Sequence, residues 1–129
     1  MSSPVVLIVE DNARNLKLVR DLLEHLGYRT LAAATGEEAI DLARAHRPHL
    51  VLMDVQLPGM DGLAALTRLR ADAETASLRV VAVTAFAMKY DRDRFLACGF
   101  DGYIEKPISV RDFPWQIAAL LADREGAHG

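Results

Sequence analysis

Four hydrophobic runs in this chain end in groups that can do chemistry. Leu50-Val51-Leu52-Met53 ends in Asp54, Val5 to Val9 in Glu10-Asp11, Val80 to Val83 in Thr84, and Tyr103-Ile104 in Glu105-Lys106-Pro107. A charge at the end of a buried strand is costly to desolvate unless it emerges where it meets water, a metal or a substrate. Four such endings point to one shared site. Glu10, Asp11 and Asp54 together form a like-charge cluster that raises its own pKa values unless a counter-ion is present. A hard divalent cation meets that need with oxygen ligands: Mg²⁺, with Mn²⁺ as the alternative. Asp11 and Asp54 are the expected direct ligands, Glu10 is expected to act through water, and the backbone carbonyl of Gln56 lies within reach. A carboxylate beside such an ion can also attack phosphorus and become an aspartyl phosphate. The Lys106 ammonium would then supply a point charge, and the Thr84 hydroxyl a hydrogen bond, to the equatorial oxygens.

These groups need elements that bring them to one edge. Apolar runs alternate with helical patterns along the whole chain. Strands are predicted over 4–9, 29–33, 50–53, 79–84 and 102–104, and helices over 13–26, 37–45, 63–71, 90–97 and roughly 111–123. Leu16, Val19, Leu23 and Leu26 mark the inner face of the first helix, and Gly27 closes it. Thr35 and Glu38 form a capping box for the second. Asp61 is expected to start the third as an N-terminal acid. In the last, Pro114 requires a start near Asp112, so that the proline falls within the first turn. Phe113, Ile117, Leu120 and Leu121 then face inward. Strands one, three and four are nearly unbroken apolar runs, the mark of strands covered by helices on both faces. Strict alternation gives an α/β fold, a doubly wound parallel sheet. Strand two, Arg29-Thr30-Leu31-Ala32-Ala33, is the least apolar and suits an edge. Ligands of such sheets bind beyond the carboxyl ends of the strands, where the polar endings lie. Glu10 and Asp11 are adjacent, so they converge only if the chain has left the strand by then.

The 129 residues make one domain, with residues 124–129 expected to fray. A net charge of −3 with scattered Lys and Arg argues against nucleic acid or an anionic membrane as partner. No stretch approaches the roughly 20 apolar residues of a membrane span, and the start of the chain lacks a signal-peptide pattern. The expected location is the cytoplasm, in keeping with a single cysteine, Cys98, read as a small buried helix residue. Trp115 is expected to be partly buried. His46 and His49 flank Pro48 in a linker and are not read as a metal site. No dinucleotide fingerprint or P-loop is present.

The motifs Leu7-Ile8-Val9-Glu10-Asp11-Asn12, Leu52-Met53-Asp54 through Pro58-Gly59-Met60-Asp61-Gly62, Val83-Thr84-Ala85 and Tyr103-Ile104-Glu105-Lys106-Pro107 stand in this order and spacing. With them the chain resembles the CheY-like receiver domains of two-component response regulators. Thr84-Ala85-Phe86-Ala87-Met88-Lys89 and Lys106-Pro107-Ile108-Ser109-Val110 resemble the stand-alone regulators of the DivK type. The resemblance implies a flavodoxin-like receiver fold of five strands in order 2-1-3-4-5 with five helices. It implies that Asp54 is phosphorylated from a histidine kinase's phosphohistidine, with Glu10, Asp11, Asp54 and the Gln56 carbonyl at Mg²⁺ and with Thr84 and Lys106 on the phosphoryl group. It further implies a cis bond between Lys106 and Pro107, and a switch in which Thr84 moves towards the phosphoryl group and Tyr103 turns inward. Gln56 and Phe86 would tune the phosphate lifetime, the bulky Phe86 by restricting the attacking water. Expected partners are a sensor histidine kinase and a downstream protein on the face of the fourth helix, fifth strand and fifth helix. The expected state is a monomer that dimerises, if at all, on phosphorylation. The alternative is a phosphotransfer relay or the receiver portion of a hybrid histidine kinase. An aspartate-nucleophile phosphatase is the weakest reading, because its second acid would stand where this chain has Gln56.

Overall fold

In the computed structural model, which describes residues 3–57, 59–85 and 89–126, five strands alternate with five helices. They run β1 (Val5–Val9), α1 (Ala13–His25), β2 (Arg29–Ala33), α2 (Gly36–His46), β3 (Leu50–Asp54), α3 (Gly62–Ala71), β4 (Val80–Thr84), α4 (Lys89–Cys98), β5 (Gly102–Glu105) and α5 (Phe113–Gly126). The strands form one parallel sheet in the order β2-β1-β3-β4-β5. The three central strands are β1, β3 and β4. All of β3 and β4 is buried, whereas most residues of the edge strands β2 and β5 are only partly buried. Hydrophobic composition thus decides position: only a strand apolar on both faces tolerates the middle.

Side-chain alternation splits the core into two clusters, one per face. Leu7, Val9, Val51, Met53, Val80 and Ala82 pack under α2, α3 and α4. Val6, Ile8, Leu50, Leu52, Val81, Val83 and Ile104 pack against Val19, Leu23, Phe113 and Ile117 of α1 and α5. Asp54 belongs by alternation to the second face and Thr84 to the first.

Helix starts carry their capping chemistry. The Asn12 side chain accepts from the Asn15 N–H, Thr35 from Glu38, and Asp61 from Ala64. In the capping box the return bond of Glu38 reaches the Ala34 N–H at 3.2 Å, one residue short of the usual position. Gly27 has φ +94°, which stops α1. Gly62 is required for a different reason. A Cβ there would lie 2.6 Å from the Asp54 carbonyl oxygen and 2.7 Å from the Val55 Cα. That absence of a side chain lets α3 start directly against the end of β3, sealed by the Gly62 N–H donating to the Val55 carbonyl at 3.0 Å.

Two readings need correction, and several bounds shift by a residue or so. Cys98 is exposed rather than buried, since it is the last residue of α4 and the Phe95–Phe100 edge-to-face pair fills the space beneath that helix. Trp115 is 62% exposed. It lies two residues from both Phe113 and Ile117, the buried positions of α5, hence about 200° around the helix from each. Pro114 does sit in the first turn of α5, which starts at Phe113 with the Phe113 N–H donating to the Ser109 carbonyl. That helix continues to Gly126, beyond the expected fraying point. His49 serves the fold: its Nδ1 accepts from the Val5 N–H at 3.0 Å, tying the loop before β3 to the start of β1.

Candidate functional site

Parallel register aligns the strand ends. Val9 lies opposite Met53, Asp54 opposite Val83, and Thr84 opposite Glu105. Glu10 has left β1, although its N–H still donates to the Ala33 carbonyl at 2.9 Å. The chain turns there into the Asn12 cap, and the adjacent Glu10 and Asp11 point to the same place as Asp54. One carboxylate oxygen from each of Glu10, Asp11 and Asp54 lies within 4.8 Å of the others. Glu10 and Asp54 are buried and Asp11 is exposed.

Lys106 closes the cluster. Its Nζ donates to Glu10 Oε1 at 3.0 Å and to Asp54 Oδ2 at 2.9 Å, 96 and 52 residues away in sequence. The lysine is placed by the sheet: its N–H donates to the Thr84 carbonyl at 2.8 Å, and its peptide bond to Pro107 is cis. Burial works against the Lys106 charge, but the bonds to Asp54 and Glu10 outweigh it and hold the ammonium above the usual lysine pKa. Burial pushes the Glu10 carboxyl up, and the nearby Asp54 carboxylate adds to that; the bonds from Lys106 and the Asn12 N–H pull the other way. One ammonium against three carboxylates leaves two negative charges. That residual charge and the all-oxygen donor set fit a hard divalent cation.

The two buried acids have different freedom. Glu10 is engaged on both oxygens, by Lys106 and by the Asn12 N–H at 3.2 Å. Asp54 accepts from Lys106 on one oxygen and from the Gln56 N–H at 2.9 Å on the other, so the turn after β3 fixes its orientation. Gln56 itself is exposed. Thr84 is buried at the end of β4, next in the sheet to the lysine that bridges the acids. Tyr103 stands apart from the cluster, half-buried on the opposite face, where its hydroxyl accepts from Arg92 Nη1 at 2.7 Å. Phe86 lies outside the described residues. Sequence reasoning missed that Lys106 bonds Glu10 as well as Asp54. It also missed Arg92 altogether, since the alternating charges Asp91-Arg92-Asp93-Arg94 read as a solvated helix face.

The sequence pattern of the response regulator receiver domain matches residues 6–117. The chain belongs to that family. This receiver is 52% identical over 118 residues to the polar-differentiation response regulator DivK of Brucella anthropi, covering 92% of this chain and 96% of that one, and 51% identical to the DivK of Brucella ovis. It is a DivK-like receiver of two-component signalling. Among solved structures it superposes on the receiver domain of a sensor histidine kinase from Pseudomonas aeruginosa that holds a magnesium ion in its active-site cleft. There the TM-score is 0.84 at 30% identity, with 94% of this chain and 99% of that one covered. A chemotaxis response regulator of Vibrio cholerae matches with a TM-score of 0.85 at 23% identity over 92% and 99% of the two chains, a likeness of fold alone. No helix among the described residues is long and apolar enough to cross a membrane.

Proposed function

We propose that this receiver accepts a phosphoryl group on Asp54 from the phosphohistidine of a histidine kinase. The observation that carries the reading is the Lys106 ammonium bonded to Asp54 Oδ2 beside two further carboxylates, which gives one fixed nucleophile with a cation at hand. A P–O bond forms to Asp54 as the P–N bond of the donor breaks, and the histidine leaves with its electron pair. Asp11 and Asp54 would hold Mg²⁺ or Mn²⁺ directly, with Glu10 through water and the Gln56 carbonyl completing the set. Bound there, the ion supplies charge neutralisation at the phosphoryl oxygens. The chain's own residues do the rest. The Gln56 N–H orients the Asp54 carboxylate. Lys106 exchanges its bond to Asp54 for one to a phosphoryl oxygen while Glu10 keeps hold of it, and the Thr84 hydroxyl takes another oxygen. Apart from its own phosphorylation and dephosphorylation, the protein catalyses nothing. Its output is a change in protein contacts on the face of α4, β5 and α5, with Thr84 and Tyr103 as the moving parts and Gln56 and Phe86 tuning the phosphate lifetime.

The 52% identity over 96% of the DivK relative's length supports a DivK-like regulator as the first reading. A relay or a hybrid-kinase receiver is the second reading, favoured by the likeness to the receiver of a sensor kinase. Incubation with a phosphohistidine-bearing kinase domain tests the transfer. Radiolabel should move to this chain, be released as inorganic phosphate when hydroxylamine cleaves the acyl phosphate to a hydroxamate, and be absent from Asp54→Asn. Label that persists in Asp54→Asn overturns the assignment. Return of the label to an added histidine phosphotransfer domain would favour the relay.

A further inference from the structure

Arg92 makes two contacts to one side chain. Its Nη1 donates to the Tyr103 hydroxyl at 2.7 Å, and its guanidinium carbon lies 5.4 Å from the centre of the same ring. Asp91 and Asp93 flank it in sequence, yet Arg92 forms no ion pair among the described residues. Its Nε is shut away from solvent without a hydrogen-bond partner among the described residues. An arginine on a helix surface ordinarily keeps its head in water. In this one the Nε is out of water while Nη1 holds a neutral hydroxyl.

The tyrosine it holds is connected to the site. Tyr103 pairs with Ala82 on β4, and Thr84 follows two residues later, so Tyr103 and Thr84 share the α4 face of the sheet. The ring also lines a surface groove with Leu96, Trp115 and Leu120. One side chain therefore faces three ways: towards Thr84 along the sheet, towards Arg92 on α4, and towards the groove.

We infer that Arg92 is a latch on Tyr103. It holds the hydroxyl from the α4 side, so an inward turn towards Thr84 requires that hydrogen bond and the stacking contact to break first. The inference rests on the proposed switch of Thr84 and Tyr103. The latch stabilises the unphosphorylated arrangement only, and removing it must shift the balance towards the inward one. A hydrogen bond and a cation–π contact together correspond to about a tenfold change in that balance.

The test uses full-length protein labelled with fluorotyrosine, which carries three reporters, Tyr28, Tyr90 and Tyr103; Tyr103→Phe assigns the third. Acetyl phosphate with Mg²⁺ should move the Tyr103 resonance in the wild type. In Arg92→Gln the resonance should lie part-way to that position before any phosphate is added. Acetyl phosphate should also label the variant about three- to tenfold faster, because less of the population needs to leave the latched state. Arg92→Lys, which keeps a cation near the ring but loses the guanidinium geometry, should fall between. Melting temperature should fall by a few degrees in Arg92→Gln, as loss of any stabilising contact would cause, whereas a merely structural role would move none of the other readouts. A Tyr103 resonance and labelling rate that match the wild type in Arg92→Gln overturn the latch. A wild type that takes up phosphate with Tyr103 unmoved also overturns it, while leaving Asp54 as the acceptor. Failure to take up phosphate at all overturns the reading beneath it.

Discussion

A buried or half-buried cation stands at each end of the sheet, and the two are employed differently. At the edge where β4 and β5 begin, Arg70 of α3 donates to the carbonyls of Ala76 (2.8 Å), Leu78 (2.6 Å) and Gly99 (2.9 Å from Nη2, 3.3 Å from Nε). It also donates to Asp101 Oδ2 at 2.8 Å, which accepts in turn from the Val80 N–H at 2.8 Å. Its charge meets one carboxylate and a set of chain carbonyls, and its guanidinium fork staples α3 to the starts of both strands. At the carboxyl edge Lys106 bridges Glu10 and Asp54 with Asp11 close by, and two negative charges remain. A balanced cation with every arm engaged is structural. An acidic cluster left underneutralised around a point charge is poised to take up cations and phosphoryl groups.

The largest effect should come from breaking the structural end. Arg70→Ala takes a donor from three carbonyls and from Asp101, which keeps only the Val80 N–H among its bonds described above, and should cost about 2–4 kcal/mol. That is roughly 10 °C in melting temperature, while phosphate uptake at Asp54 well below the transition stays at the wild-type rate. Equal loss of stability and of uptake would erase the distinction between the two ends. Lys106→Ala should do the opposite. In metal-free buffer it should lower stability by about 1–3 kcal/mol, because Glu10 and Asp54 lose their shared counter-charge. Saturating Mg²⁺ should recover much of that stability in a melting curve, yet phosphate uptake should stay strongly reduced. A variant whose uptake is unimpaired would remove Lys106 from the chemistry. The smallest effect belongs to Asp11→Asn. With one charge fewer in the cluster, metal-free protein should melt higher, by the equivalent of about 0.5 kcal/mol, and the stabilisation by Mg²⁺ should shrink. A lower melting temperature without metal would mean that the cluster is not repulsive.

The same contrast explains what could be read from the sequence. The central strands were legible because a strand covered on both faces must be apolar throughout, and Val5–Val9, Leu50–Asp54 and Val80–Thr84 are, up to the terminal Asp54 and Thr84. The acids were legible because a charge ending such a run has few other uses. The Arg70 staple was not. Its partners lie 6 to 31 residues away and are mostly backbone carbonyls, which carry no sequence signal. Nor was the second partner of Lys106, since Glu10 looked committed to a metal until the sheet register placed both side chains together. Trp115 and Cys98 were misjudged because residue type was allowed to outweigh helical position. Phe113 and Ile117 already occupy the buried face of α5, as Phe95 does for α4.

The most direct test of the central claim, that Asp54 is the reactive end of this balance, is intact mass after incubation with acetyl phosphate and Mg²⁺. The wild type should gain the mass of one phosphoryl group and lose it on removal of the metal's donor set by Asp11→Asn or of the nucleophile by Asp54→Asn. Arg70→Lys should gain it as the wild type does. No adduct on the wild type, or an undiminished adduct on Asp54→Asn, would contradict the account.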